Sequence, residues 1–506
     1  MKLRFLCISF IVGLISLGEE IVWVRIVSFL GQSVPQTFAF VLFCYVLGIA
    51  LGALFGARLA KKCIDELRTV SLLLGVSGCV VVVSPWAVAE IYSKQKFLIL
   101  VGLLIATGAA LKGAIFPLVH HWFSRPGVNL GRTLSWVYFS NVMGCALGPL
   151  IVGFYLLDYL PMFQALSVLG GVEIMLAAVF SFLRSRMLSV TAFACLLATV
   201  PLIQSSQGIL KQVISFQFSP SVSVTNIIEN RHGVIYTIDD GSDVDFVYGG
   251  NVYDGGFNVD LISNENGISR AFLLAGLHAE PKSVLFVGLS SGSWLRVVSA
   301  MPGVEAIDVV EINPGYMELI QKYPGAEDIL SDSRIKFHFT DGRRLLKKSV
   351  DERKKYDLIV MNNTWHWRAN STNLLSSEFM GLLKSAIAEN GVITFNTTRS
   401  VDVFYTASRV FDGAFIYRNF VYASDHDLNT TLASNGDRLC MLSPARLEGQ
   451  SCENSEFLRV VEKLKTIDLL SWGEAPEDVL MDRKPEIITD DNMIVEYKYG
   501  RSMNIF

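Results

Sequence analysis

A chain of 506 residues that is 51% hydrophobic and 18% charged is too apolar for an ordinary soluble protein. Its formal net charge of −4 argues against a nucleic-acid partner, which would need a basic face. Eight cysteines are present and none forms a CxxC pair, which argues against zinc ribbons and thioredoxin-like redox motifs.

The first 207 residues read as a multi-span membrane domain. A bilayer span takes roughly 17–25 mostly apolar residues. Seven segments qualify, near 5–24, 36–58, 69–90, 97–119, 134–157, 162–183 and 188–204. The first is read as a retained span, because Glu19-Glu20 and Trp23-Val24-Arg25 follow it where a signal peptide would carry a small-residue cleavage site. Alternate loops hold ten basic residues (Lys2, Arg4, Arg58, Lys61, Lys62, Arg68, Arg125, Arg132, Arg184, Arg186) against three (Arg25, Lys94, Lys96). The positive-inside rule then gives a cytoplasmic N-terminus in a bacterial-type inner (plasma) membrane. Glu20 and Arg25 are either interfacial residues beside a Trp23 anchor or an intramembrane ion pair lining a cavity. The small-residue spacings Gly48/Gly52/Gly56 and Gly144/Gly148 predict close helix packing, and Asn141 an interhelical donor. Lys112 and Phe116-Pro117 mark the end of the fourth span.

Residues 208–266 predict a small antiparallel β-domain, with strands at 223–230, 233–239 and 245–253 and turns at Asn230-Arg231-His232-Gly233 and Asp239-Asp240-Gly241. Residues 267–440 predict an α/β domain. A helical stretch over 267–278 is followed by strands at 284–288, 306–311, 335–339, 357–361 and 391–396 alternating with helical patterns. That alternation implies a doubly wound, Rossmann-like parallel sheet with its ligand at the carboxyl ends of the strands. The turn after the first of these strands, with Gly288, Ser290, Ser291 and Gly292, is small enough for backbone to approach a ligand. About 20 residues on, the next strand ends in Glu311, placed to accept ribose hydroxyls. Residues 441–506 form a C-terminal extension without a signature, with a helix expected over 457–470 and a loosely packed tail over 487–506. A Cys440–Cys452 disulfide is open to this end if it faces an oxidising compartment. Asp425-His426-Asp427 are consecutive and so poorly arranged to converge on one ion; no metal is expected.

Several motifs in order resemble the spermidine synthase (polyamine aminopropyltransferase) family, a small β-domain followed by a class I methyltransferase-type fold. They are Gly288-x-x-x-Gly292, Val309-Val310-Glu311-Ile312-Asn313-Pro314, Thr340-Asp341-Gly342-Arg343, Tyr356-Asp357-Leu358-Ile359-Val360 and Asn373-Leu374-Leu375-Ser376-Ser377-Glu378-Phe379. The apolar half is similar to the multi-span domain fused to some bacterial members, through Glu20-x-x-Trp23-x-Arg25, Phe116-Pro117 and Tyr138-x-x-Asn141-x-x-Gly144-x-x-x-Gly148. The resemblance implies S-adenosylmethionine or decarboxylated S-adenosylmethionine as cosubstrate, Glu311 on the ribose, and Asp341, followed by Gly342, on the adenine amino group. It also exposes departures. Ser291 stands where the family's loop carries an amine-gripping Asp, Asn362 where it carries the catalytic Asp, and Trp365 where it carries the next acid. Asn cannot act as a general base near neutral pH, so putrescine is not the expected acceptor. Asn362, Trp365 and His366 are the residues left over the reacting end, with indoles able to face a sulfonium and an imidazole able to move a proton. Glu311 could instead be a solvated strand-end acid, and Asp341 a helix cap.

Three readings stay open. The first is a membrane-integrated transferase moving an alkyl, aminopropyl-type group to an unknown acceptor (an amine, lipid or peptide). The second is a non-catalytic nucleoside sensor or scaffold; the third is a transporter with a regulatory nucleoside-binding domain. A homo-oligomer is open in each. Seven full spans would put the soluble half outside, whereas the cosubstrate is cytosolic. The short segment 188–204, broken by Pro201, is therefore expected to be irregular, leaving the soluble half cytoplasmic.

Overall fold

The computed structural model describes residues 2–62, 65–94, 97–124, 130–182, 186–475 and 483–503. Cys63, Lys96, Arg125 and Arg184 lie outside the described residues. The chain divides into two compact units: Met1–Val222 with Glu229–Arg231 and Ser502–Phe506, and Ser223–Ile228 with His232–Arg501.

The first unit is helical: α1 (Lys2–Leu30), α2 (Gln36–Ala60), α3 (Glu66–Ser93), α4 (Phe97–Gly113), α5 (Ile115–Phe123), α6 (Leu130–Ile151), α7 (Leu157–Tyr159), α8 (Met162–Phe182), α9 (Arg186–Ser205) and α10 (Ile209–Ser215). Among the described residues, seven helical stretches are long and apolar enough to cross a membrane. Helix α1 packs on α6, α3 on α8 and α2 on α4. The predicted glycine seams are those contacts. Gly48, Gly52 and Gly56 lie against the carbonyls of Ala106, Ala110 and Ala114, and Gly144 and Gly148 against those of Phe10 and Leu14, so that any Cβ would collide. Asn141 donates across to the Ser9 carbonyl at 3.0 Å, as an interhelical donor should.

Two expectations change here. Lys112 does not merely end a span. It is buried, with Nζ 2.7 Å from Glu19, 3.1 Å from Glu173 and 3.2 Å from the Ser77 hydroxyl. Among the described residues no ion pair joins Glu20 to Arg25, which instead lies 3.9 Å from Glu229; Glu19, one position before Glu20 and turned about 100° round the helix, carries the carboxylate that meets Lys112. The last segment is also longer than expected. Helix α9 runs through Pro201, a short 3₁₀ turn at Ser206–Gly208 and α10 follow, and the span-length stretch is Phe193–Ser215.

The second unit begins with a four-stranded sheet in the order β1 (Ser223–Asn230), β2 (Gly233–Asp239), β3 (Phe246–Gly249), β4 (Val252–Gly256). The predicted single strand 245–253 is split in two, because Gly250 (φ +57°) and Asn251 (φ +68°) form a tight left-handed turn. Two short helices, α11 (Ser269–Phe272) and α12 (Leu274–Leu277), lead into the main sheet. Its first part is β5 (Ser283–Val287), α13 (Ser293–Ser299), β6 (Ala306–Glu311), α14 (Gly315–Ile320), β7 (Ile335–Phe339), α15 (Gly342–Asp351), β8 (Tyr356–Met361), α16 (Ser377–Ala386) and β9 (Ile387–Asn396). These five strands pair in parallel. After α17 (Val401–Val410) come β10 (Gly413–Tyr417), β11 (Phe420–Ser424), α18 (Leu428–Asn435), α19 (Ser455–Lys465) and β12 (Leu470–Ser471). The strand order is β12-β10-β11-β9-β8-β5-β6-β7, with the β9–β11–β10–β12 pairings antiparallel.

Both faces of the parallel strands are apolar, as a doubly covered sheet requires. Val284, Phe286, Val309, Leu358 and Val360 face one core, and Leu285, Val287, Val310, Ile359 and Met361 the other. From β5 the chain winds outward through β6 and β7, then returns to lay β8 on the other side of β5. The order reverses between β5 and β8, and in such sheets the crevice outside that point takes the ligand. The expected loose tail is not loose: Ile488, Ile494 and Val495 are buried in the second core, drawn in by their own apolar side chains. Cys440 and Cys452 form a disulfide with a Cα–Cα distance of 5.4 Å.

Candidate functional site

The loop leaving β5 is built on left-handed backbone, with φ of +85° at Gly288, +50° at Ser290 and +76° at Gly292. At Gly288 a side chain is excluded twice over, since a Cβ would also stand 2.7 Å from the Asn362 carbonyl at the end of β8. The Leu289 N–H donates to Glu311 Oε2, and the Asn313 N–H to Oε1, each at 2.8 Å. Each oxygen keeps further acceptor capacity for a ligand hydroxyl. Glu311 is buried, and that burial pushes its carboxyl up to about 7, against the lowering effect of the two backbone donors.

The loop serines are tied to β4. Ser290 Oγ donates to the Asp254 carbonyl (2.7 Å), Ser291 Oγ to the Gly256 carbonyl (2.8 Å) and Ser293 Oγ to the same carbonyl (2.9 Å). Asp254 turns its carboxylate to the Tyr316 hydroxyl of α14 at 2.5 Å. Burial raises its pKa, while Tyr316 and the nearby Arg368 lower it.

A cavity of ≈ 350 Å³ opens at the switch point. Of the residues singled out from sequence, Ser290, Ser291, Asn362 and Trp365 line it. Gly288, Gly292 and Glu311 lie in the framework of the loop. Asp341 caps α15, its Oδ1 accepting the Arg344 N–H at 2.9 Å with the other oxygen uncommitted to the cap, and Gly342 packs under Val287. Neither Asp341 nor Gly342 is on the wall. His366 is off the wall too: its Nδ1 is 2.6 Å from Thr398 Oγ1, and burial pushes the imidazole down to about 4, so it is neutral at pH 7. Trp365 faces the cavity, whereas Trp367, 6.1 Å away between ring centroids, is buried.

Sequence reasoning missed Asp254 and Arg270, which also line the cavity. A usable sign was the interruption of strand alternation at Asp254-Gly255-Gly256, where Gly255 has φ +141°. Of the earlier metal candidates, Asp427 caps α18 and His426 pairs with Asp425.

Residues 272–409 match the spermine/spermidine synthase domain. The chain is 25% identical over 415 residues to polyamine aminopropyltransferase 2 of Streptomyces coelicolor, covering 77% of this chain and 73% of that one. It is 29% identical over 120 residues to the polyamine aminopropyltransferase of Agathobacter rectalis, a match that spans 41% of that protein. A crystal structure of spermidine synthase in complex with the transition-state analogue AdoDATO overlaps 41% of this chain and 76% of its own, at 17% identity and a TM-score of 0.37. Residues 272–409 thus match a spermine/spermidine synthase domain within a doubly wound sheet, in a chain that also holds, among the described residues, seven long apolar helical stretches.

Proposed function

We propose that the second unit is an alkyltransferase that binds S-adenosylmethionine or its decarboxylated form and moves an aminopropyl-type group to an acceptor other than putrescine. The observation that carries this is Glu311, a buried carboxylate at the end of β6 that holds the β5 loop at the switch point of the sheet. Glu311 would take the ribose hydroxyls and Asp341 the adenine amine. The donor brings a sulfonium with a transferable carbon, and in-line attack on it needs positioning and a dry site more than acid–base chemistry. Trp365 supplies an aromatic face at that end of the cavity, Asn362 lines it, and the serine-tied loop fixes its floor. Calorimetry with methylthioadenosine tests the assignment: wild type should bind, and Glu311→Ala should bind more weakly. Equal affinity of the two would remove Glu311 from the site.

The nucleoside-sensor reading draws on one observation, the hydrogen-bonded His366, whose imidazole burial pushes down to about 4 and so makes a weak base. Product formation separates the two readings. The helical unit we read as a multi-pass membrane anchor. Its support is apolar surface: Phe38, Phe43, Val46, Leu51, Leu54 and Phe55 of α2 are all exposed, a band that water would penalise and lipid would not.

A further inference from the structure

Beyond the glycine loop the cleft continues into a second cavity of ≈ 530 Å³, the two sharing Tyr253, Asn266, Arg270, Arg399 and Asn419. Three arginines stand around this outer half: Arg270, Arg399 and Arg418. One acid, Glu265, lines the same half and is exposed to solvent; Asp254 lines the inner half and is bonded to Tyr316.

Arg270 is the telling residue. Its guanidinium donates only to neutral oxygens: Gly267 O at 2.7 Å, Asn419 Oδ1 at 2.9 Å and Asn266 O at 3.1 Å. It lies over the rings of Phe420 and Trp294, 4.7 and 5.6 Å from their centroids. Burial disfavours its charge, and nearby Arg418 adds to that. Among the described residues, no carboxylate forms an ion pair with Arg270, Arg399 or Arg418, whereas Arg296, Arg334, Arg343, Arg446 and Arg483 of this unit each have one. A guanidinium held out of water without a counter-ion is costly. Two of its five N–H groups remain for a ligand, and the planar fork suits a carboxylate. A diamine acceptor would meet repulsion here.

Building on the transferase reading of this cleft, we propose that the ligand filling its outer half carries a carboxylate held by Arg270, Arg399 and Arg418. The carboxylate belongs either to a donor that has not been decarboxylated or to the acceptor. Two matched pairs of probes distinguish the sources. S-adenosylmethionine and its decarboxylated form differ by that one group, as do 4-aminobutyrate and putrescine.

Each probe is titrated calorimetrically into the full-length protein in lipid nanodiscs, the second pair in the presence of saturating methylthioadenosine. In one pair the carboxylate-bearing member should bind about tenfold more tightly, the scale of one charge-assisted bond. That preference should disappear in the double variant Arg399→Ala/Arg418→Ala, whose exposed positions spare the fold. A preference in the first pair assigns the anion to the donor, and one in the second to the acceptor. Equal binding within both pairs, or a preference that survives in the variant, overturns the proposal. Should methylthioadenosine itself fail to bind wild type, it is the transferase reading that falls, and this inference with it.

Discussion

The Leu289 N–H donates to the Glu311 carboxylate at 2.8 Å, so the acid that ends β6 also fixes the loop that ends β5. In the proposed function, ligand recognition and loop geometry are thereby linked through one side chain. Replacing it by Ala should weaken nucleoside binding by roughly 1.5–3 kcal/mol, the worth of hydrogen bonds to a charged group. Calorimetry on wild type and Glu311→Ala reads this directly.

The same burial makes binding pH-dependent. With its carboxyl near 7, Glu311 is largely protonated at pH 6 and ionised at pH 8, and only the ionised form accepts at both oxygens. Affinity for methylthioadenosine should rise between pH 6 and 8, and Glu311→Gln should flatten the rise. Stability runs the other way. The folded value lies above the ordinary 4.5, so the contribution is present below about 4.5 and is lost as pH rises through about 7. The loss from this one group is on the order of 3 kcal/mol. A urea-unfolding midpoint with the same pH slope in wild type and Glu311→Gln would count against the assignment.

Gly288→Ala should damage the site more than the fold. The φ of +85° strains any Cβ-bearing residue, and the Asn362 carbonyl blocks the added methyl. Backbone strain of this kind costs roughly 1–3 kcal/mol. Methylthioadenosine binding should be lost while the variant remains folded by circular dichroism.

Lys112 separates a removed partner from a removed group. Lys112→Met leaves Glu19 and Glu173 buried together and should destabilise the helical unit by roughly 3–5 kcal/mol. The triple variant Glu19→Gln/Lys112→Met/Glu173→Gln should recover most of that loss. Thermal unfolding in detergent compares them, and a triple variant no better than the single one would speak against a purely ionic role.

Putrescine should not be converted to spermidine at a useful rate. Ser291 spends its hydroxyl on the Gly256 carbonyl, Asn362 has no basic function, and the outer cleft sets three arginines against the single exposed acid Glu265. Chromatography of a defined reaction with decarboxylated donor and putrescine checks this. Steady spermidine formation would mean that a base other than His366 serves the site.

Seven full crossings from a cytoplasmic N-terminus would put the second unit outside the cytoplasm, where the Cys440–Cys452 disulfide would persist, and that is the outcome predicted here. It differs from the expectation drawn from 188–204, and its support is that Phe193–Ser215 is long and apolar enough to cross a membrane. A cysteine introduced at exposed Ser219 should react with an impermeant thiol reagent in intact cells. Protection until the cells are lysed would restore the cytoplasmic assignment, which also needs no delivery of donor across the membrane.

The parallel strands were legible because each is a short apolar run closed by a turn, and β7 in particular lies where its pattern put it. Local chemistry also announced the glycine loop and Glu311. What was hidden depends on distance in sequence. Strands β10, β11 and β12 complete the sheet through antiparallel pairing with a parallel edge, and no local period distinguishes that from a separate hairpin. Lys112 looked like a helix end because its partners sit 93 and 61 residues away. Asp254 and Arg270 join the site only when β4 and α11 are laid against the β5 and β8 loops. His366 carried the right chemistry in sequence, but its burial beside Thr398 was not readable there.

The most direct test of the account is product release. Purified full-length protein, incubated with either adenosyl-sulfonium donor and a fractionated extract of small-molecule and lipid acceptors, is assayed for free nucleoside product by mass spectrometry. The account predicts methylthioadenosine from the decarboxylated donor or from aminocarboxypropyl transfer, or S-adenosylhomocysteine from methyl transfer, with loss of the product in Glu311→Ala. Absence of both products, with donor binding intact, would contradict a transferase and leave the nucleoside sensor.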